Sequence, residues 1–409
     1  MIQRPYDPDR DRNAVERIWR EVGWIESDDQ AKTLDVFLES GRTLVAELGG
    51  EAECMVNTDP GQLRYLQVDL SACCVTGVTT SRIARRQGLA SSLLASSLAA
   101  SAQEGAAVAA LGVFDQGFYD RLGFGSAGYE RWCMFDPSQL AVDITPRIPR
   151  RLTEEDWEAV HRNRLVRHRT HGALSLLPAQ HTRAEMQWSE NGFGLGYADG
   201  SGELTHHLWV VSGKNESGPY RVGWMAYKAK AEALELLALL RNLGDQVYWI
   251  RMHEPPGIQL QDLLRKPFRS RRVTGSSKNE HRMNASAYWQ LRVLDLAGCI
   301  EQVHAPAEPV EFNLVLDDPI AGLLPESASW RGIGGEYTVR LGRESSIRHG
   351  FSQELDTLRA SAAAFSRMWL GVRSPSELSW TDALSGSDEL LTRLDQVLRL
   401  PAPSSDWDF

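Results

Sequence analysis

The stretch Arg82–Ser91, "RIARRQGLAS", decides how the first third of the chain is read. Its arginines and Gly88 follow an apolar, β-branched segment ending near Val78. A slim run of small residues and leucines, "LASSLLASSLAAS", comes after them. Positive charge at the start of a helix is opposed by the helix dipole, so it needs a reason. A bound anion supplies one. The first amides of a helix have no internal partners, and arginines add charge-assisted bonds. Gly88 lets the backbone come close to such a ligand. Arg85, Arg86, Gly88, Leu89 and Ala90 are therefore read as a phosphate cradle.

Outward from the cradle, helical and strand patterns alternate. Asn13–Gly23 and Gln30–Glu39 read as amphipathic helices. "RTLVAELGG" and "ECMVNT" read as a strand pair joined by a Gly-Gly turn. "LRYLQVDLSACCVTGVTT" reads as strand, break, strand; Gly88–Gln103 is a helix; "AAVAALGVF" is a buried strand; and "QGFYDRLGF" is a short helix entering a last strand. Pro146 and Pro149 mark a linker, after which Thr153 and Asp156 cap a new helix. After "HAPAEPV" come strands "VEFNLVLDDP" and "GEYTVRLGR", then leucine-rich helices such as "FSQELDTLRASAAAFSRMWLG". The expected class is α/β (α+β), with mixed sheets flanked by helices. A length of 409 residues exceeds what one core usually serves. Units of 1–145, 146–297 and 298–409 are expected.

The net charge of -10 is uneven: the segments 1–140, 141–295 and 296–409 carry -7, +5 and -8. The basic middle holds "HRNRLVRHRTH" (His161–His171) and "RKPFRSRR" (Arg265–Arg272). Such runs suit solvated helix ends or a phosphate-rich partner. Arg265, Lys266, Arg269, Arg271 and Arg272 are the candidates for nucleic-acid contact. The five cysteines have no framework or metal spacing and read as reduced, buried thiols. His206 and His207 adjoin on a strand-like run and should point to opposite faces, so no metal is expected. "MIQRPYDPDRDR" has no apolar stretch behind its charges, and no membrane-length apolar window follows. A cytoplasmic protein without membrane partners is expected.

Two motifs in order carry a family resemblance. Val78 followed by R-x-x-G-x-A at Arg85–Ala90 resembles the acetyl-coenzyme A motif of the GCN5-related N-acetyltransferases (GNAT). "GFYDRLGF" (Gly117–Phe124) resembles their later F-Y-x-x-x-G-F. The whole chain resembles the Eis-like (enhanced intracellular survival) family. That resemblance implies a catalytic GNAT unit, a second unit without the motif, a sterol-carrier-like third unit and a hexamer. In the second unit "YRVGWMAYKAKAEALELLALL" (Tyr220–Leu240) is followed by no R-x-x-G-x-A, so this unit should not hold coenzyme A.

The resemblance implies acetyl-coenzyme A as co-substrate, with the amides of Val78, Thr79 and Thr80 on its pantetheine arm. It implies Tyr119 as general acid and the chain's own terminal carboxylate, at Phe409, as base. Acyl transfer to an amine needs both a proton acceptor and a proton donor for the leaving thiolate. The ending "SSDWDF" supplies Trp407 and Phe409 as anchors and Asp408 as negative charge for a cationic amine. Glu26 and Asp28 of "ESDDQ" line an amine pocket or cap a helix. The expected function is N-acetylation of a small cationic amine: an aminoglycoside, a polyamine or a natural-product intermediate. Aminoacyl-tRNA is the second-ranked donor, suited by the basic middle. A lipid-binding protein on an inert transferase fold is the third reading.

Overall fold

The computed structural model describes residues 2–114, 116–214, 216–267, 281–305 and 308–409. Local signals explain the first helices. Pro8–Val22 starts at Asp7, whose side chain accepts from Asp9 N–H, and stops at Gly23 with φ +80°. Asp28–Leu38 starts at a Ser27/Gln30 capping box. The helix Leu89–Gln103 follows Gly88 and has no side-chain cap.

Among the described residues the strands form three sheets. The first runs Ile2–Pro5, Arg42–Leu48, Glu51–Tyr65, Val68–Thr80, Val108–Gly112, Trp289–Val293 and Gly125–Ser126, with Leu174–Leu176 added on Glu51–Tyr65. The second runs Arg282–Ser286, Glu130–Phe135, Ile250–His253, Tyr220–Ala226, Leu204–Ser212, Gly192–Ala198 and Arg150–Leu152. The third runs Ser346–His349, Gly335–Leu341, Val310–Asp317, Thr357–Ser361 and Leu384–Ser385.

Limits drawn along the chain at 145 and 297 do not coincide with these sheets. Glu130–Phe135 leaves the first unit and pairs with Ile250–His253 and Arg282–Ser286 in the second sheet. Trp289–Val293 returns from the second unit and fits between Val108–Gly112 and Gly125–Ser126. Each strand goes where its apolar residues are buried: Cys133 and Phe135 in the second core, Trp289, Leu291 and Val293 in the core under the first sheet. Part of the leucine-rich "FSQELDTLRASAAAFSRMWLG" is strand, Thr357–Ser361, and the helix begins only at Ala362. Ser361 caps that helix by accepting from Ala364 N–H.

The first and third units share one core. Tyr65 stacks on Trp369 at 4.5 Å, and Leu63, Leu291, Phe312 and Phe365 belong to the same buried cluster. The wholly buried Arg292 donates to Asp318 at 2.7 Å and lies 5.2 Å from the Trp330 ring. All five cysteines are free and buried. Among the described residues no helix is long and apolar enough to cross a membrane.

The Arg292–Asp318 pair yields a prediction. Asp318→Ala strands a buried guanidinium, so the protein should lose about 3–5 kcal/mol. Urea unfolding of the variant checks this; an unchanged midpoint would show that the pair does not tie the two units together.

Candidate active site

The site is built on a parting of two strands. Val68–Thr80 runs parallel to Val108–Gly112 only as far as Val75↔Leu111. Beyond that it stays paired to Glu51–Tyr65 up to Thr80↔Cys54, leaving its other edge without a strand partner. Backbone amides from Thr76 to Thr80 thus border an opening. Val78 lines the opening, whereas Thr79 is buried and Thr80 bonds Cys54 Sγ at 3.3 Å. The cradle follows at once. Gly88 has φ +76° with open space where a side chain would stand, and Arg86 is left-handed at φ 59°. Arg85 and Arg86 are exposed and meet no carboxylate among the described residues. Leu89 is buried under the sheet and Ala90 packs at its edge. Arg82 differs: its backbone N–H donates to Glu21 at 2.7 Å, which ties the loop to the first helix. An uncapped helix start, a left-handed glycine and unpaired guanidinium groups fit a pyrophosphate, and the open strand edge fits an amide-bearing arm.

A cavity of ≈ 310 Å³ lies where the strands part. Tyr119 and Phe409 both line it, with Gly77 and Gly112 from the splayed strands. Tyr119 is held edge-on by Phe118 at 4.9 Å and by Phe124 at 6.2 Å. A Cβ on Gly112 would stand 2.6 Å from a terminal carboxylate oxygen of Phe409, so hydrogen alone fits there.

The chain end is held by the arginines of the His161–His171 segment. Arg167 binds Asp406 at 2.6 Å, with both side chains buried. Arg164 lies 3.7 Å above the Trp407 ring and pairs with Glu185. Trp407 is 2% exposed, and its indole N–H donates to Glu185 at 3.3 Å. Ser404 N–H donates to His171 O at 2.9 Å. A Cβ on Gly172 would stand 2.6 Å from Pro403, so the tail lies directly on that glycine. Arg164 and Arg167 therefore face inward, whereas Arg162 of the same segment is exposed. His161 is neutral, pushed down to about 4 by burial.

The remaining candidates divide. Asp408 lines the cavity. Glu26 instead rims a neighbouring groove of ≈ 510 Å³ that Asp408 also reaches. Asp28 is 96% exposed, pairs with Arg20 at 2.8 Å and borders neither space. Arg265 and Lys266 are exposed and do not line the cavity. Arg269, Arg271 and Arg272 lie outside the described residues. His206 and His207 diverge as expected, to Glu235 at 3.0 Å and Asn163 at 2.7 Å.

Sequence reading missed Trp24, Glu130, Tyr288 and His253. Three of these line the cavity. His253 Nε2 lies 3.6 Å from Asp408 Oδ2, and Glu130, His253 and Asp408 each bring one polar atom within 4.8 Å of the others. A small cation, a protonated amine included, would join such a group. Burial, then the charge of Asp408, pushes the Glu130 carboxyl up to about 8. Burial pushes His253 down, against the pull of Asp408. The strand exchange brings Glu130 and Tyr288 here, and no local motif announces it.

Residues 8–127 match the acetyltransferase (GNAT) domain family. In fold the whole chain is similar to several solved structures. It is similar to Eis1 from Mycobacterium abscessus, with 16% identity, TM-score 0.75 and 100% of each chain covered. It is also similar to a conserved protein of unknown function from Enterococcus faecalis, described as a probable N-acyltransferase. There the identity is 15% and the TM-score 0.77, with 100% of this chain and 99% of that one covered. A GCN5-related N-acetyltransferase from Anabaena variabilis aligns over 100% of both chains at 13% identity and TM-score 0.76. No curated protein sequence matches the chain.

Gly112→Ala should push the terminal carboxylate aside without disturbing the fold. A displacement on this scale costs about 10²-fold in rate. Turnover measured beside the melting temperature checks it: activity should fall at an unchanged Tm. Full turnover in the alanine variant would detach the chain end from the chemistry.

Proposed function

We propose that the protein is an acyl-coenzyme A-dependent N-acyltransferase that acetylates a primary amine on a small cationic molecule. One observation carries this reading: Tyr119 and the Phe409 terminus line a single cavity at the parting of two strands, beside the cradle. When bound, acetyl-coenzyme A supplies an acyl group activated as a thioester. Arg85, Arg86 and the first amides of Leu89–Gln103 hold its pyrophosphate. The free edge of Thr76–Thr80 aligns its arm. Tyr119 keeps a proton for the departing thiolate, and its buried ring shields that bond from water. The Phe409 carboxylate receives the acceptor's ammonium group. Asp408 adds a second negative charge, and no lysine or arginine stands among the described lining residues.

The choice between donors follows from the arginines. Arg164 and Arg167 are spent on the tail, which takes two arginines of His161–His171 away from a tRNA donor. The cradle, by contrast, is open and uncompensated. The sterol-carrier-like unit works here as the base from which the tail returns. Cytoplasmic location and assembly as a homo-oligomer belong to the same reading.

Acetyl-coenzyme A offered with a panel of polyamines and aminoglycosides, with free thiol followed over time, tests the proposal. Tyr119→Phe should leave donor binding intact and lower turnover by about 10²–10⁴-fold. A drop of less than threefold with chemistry rate-limiting would remove Tyr119 as the acid. Arg86→Ala combined with Gly88→Asp puts an anion in the cradle and should raise the donor KM steeply. Unchanged donor affinity in the folded double variant would sink the cradle assignment.

A further inference from the structure

The cavity contains one carboxyl group too many for the roles given so far. Glu130 begins the strand that crosses from the first unit into the second sheet, and it is 8% exposed. The neighbouring strand Ile250–His253 sets His253 opposite Trp132 and turns its ring edge-on to that indole at 3.7 Å. Glu130 faces the main cavity. His253 faces a second, smaller one of ≈ 80 Å³, bordered by Trp224, Glu254 and Pro256. Asp408 lines both spaces. The three residues therefore form the wall between the acceptor cavity and a separate opening, with their polar atoms within 4.8 Å of one another.

We propose that Glu130 accepts the proton released by the acceptor amine and that His253, beside Asp408, passes it to the second cavity. This rests on the acyl-transfer reading above. The step is a proton transfer with no change of oxidation state. The ammonium N–H bond breaks, its electron pair stays on nitrogen for attack on the thioester, and a carboxyl O–H forms on Glu130. The proton then moves to His253 Nε2, giving an imidazolium next to the Asp408 carboxylate, and from there to water.

Matching of acid strengths favours Glu130 as the acceptor of the amine's proton. A lysine-type ammonium has a pKa of about 10.4, and a terminal carboxylate one of about 3.3–3.7. Proton transfer between those two is steeply uphill. A carboxyl near 8 lies much closer to the amine, and a base is most effective when so matched. The terminal carboxylate of Phe409 then holds the ammonium in place while Glu130 keeps the proton. The groups facing Glu130 are consistent with this assignment. The tail presents Asp408 and the terminal carboxylate, the adjacent strand His253, and the turn before Trp289 the backbone N–H of Tyr288. Tyr119 faces it across the cavity. The nearby cations are Arg131, which pairs with Glu254 at 3.6 Å, Arg251, which lies over the Trp132 ring at 4.3 Å, and Arg221; Arg251 and Arg221 disfavour the charged form of His253.

The experiment compares wild type with Glu130→Gln on two acceptors. One is an alkylamine, charged at assay pH; the other is an aryl hydrazine, already neutral. The variant should lose about 10²-fold in kcat/KM on the alkylamine and less than threefold on the hydrazine. Its rate should no longer rise through pH 8. His253→Ala should lose rate on the alkylamine and regain it with added imidazole. A second readout needs no substrate. Glu130 binds its proton more tightly in the folded protein, so its contribution to stability declines as pH rises from 4.5 to about 8. The glutamine variant should therefore lose less Tm than wild type between pH 5 and pH 9. Equal losses on both acceptors, or an unaltered Tm profile, overturn the proposal. Absence of acetyl-coenzyme A binding by wild type, measured by calorimetry, overturns the acyl-transfer reading itself, and the relay with it.

Discussion

The active site depends on how Trp407 is buried. Its indole lies under the Arg164 guanidinium at 3.7 Å and within 5.1 Å of Arg167, and donates to Glu185. An aromatic ring of this size buries roughly 150–250 Å², about 5 kcal/mol at the usual coefficient. Ordering the chain from Ser404 to Phe409 costs about 1–2 kcal/mol per residue in backbone freedom. Apolar burial alone does not hold such a tail. The Arg167–Asp406 pair, the Ser404 bond to His171 and the stacked guanidinium groups are required as well. They also fix direction: the tail enters at Gly172 and ends at Gly112, where any side chain would displace it. The third unit is anchored through Tyr65–Trp369 and Arg292–Asp318, so the tail starts from a fixed base.

The strand exchange makes the second unit part of the catalytic one. Glu130 and Trp289 stand in the cavity because Glu130–Phe135 and Trp289–Val293 change places between sheets. A unit without a coenzyme cradle thus serves the chemistry by building walls. Arg164 and Arg167 come from its first helix and the turn after it, and His253 from one of its strands. This unit is also the basic part of the chain. Two of its arginines neutralise Asp406 and Glu185 and cover Trp407 rather than meeting solvent.

Local conformation was legible in the sequence. The Gly88 turn and the slim helix Leu89–Gln103 announce themselves within a few positions. Tyr119 and Phe409 could be named because motif and chain end are local features too. Their meeting required the resemblance, since composition and spacing carry no information about a tail returning from the third unit. Glu130 could not be found this way. A lone glutamate after "GSAGY" looks like any solvated charge, and its burial depends on a strand that sequence order assigns to the wrong sheet. His253 was hidden for the same reason. The arginines of "HRNRLVRHRTH" misled because charge density reads as exposure by default. Only the partners Asp406, Glu185 and Trp407, more than 200 residues away for the tail pair, explain why Arg167 is buried.

The charge of the cavity also bears on turnover. Asp408 and the terminal carboxylate stand in a space with no lysine or arginine among its described lining residues, and burial, then Asp408, raises the affinity of Glu130 for its proton. At about 4 Å, and with the screening usual near a protein surface, one opposite charge is attracted by about 4 kcal/mol. In the proposed reaction these charges draw in an ammonium group. Acetylation converts such a group to an amide that stays neutral at any ordinary pH. The attraction that assembles the proposed complex thus vanishes in the step it serves. In that reading an acceptor with a second ammonium remote from the first would keep part of its hold in the neighbouring groove, where Glu26 and Glu190 stand with Arg221 and with Glu185, itself paired with Arg164.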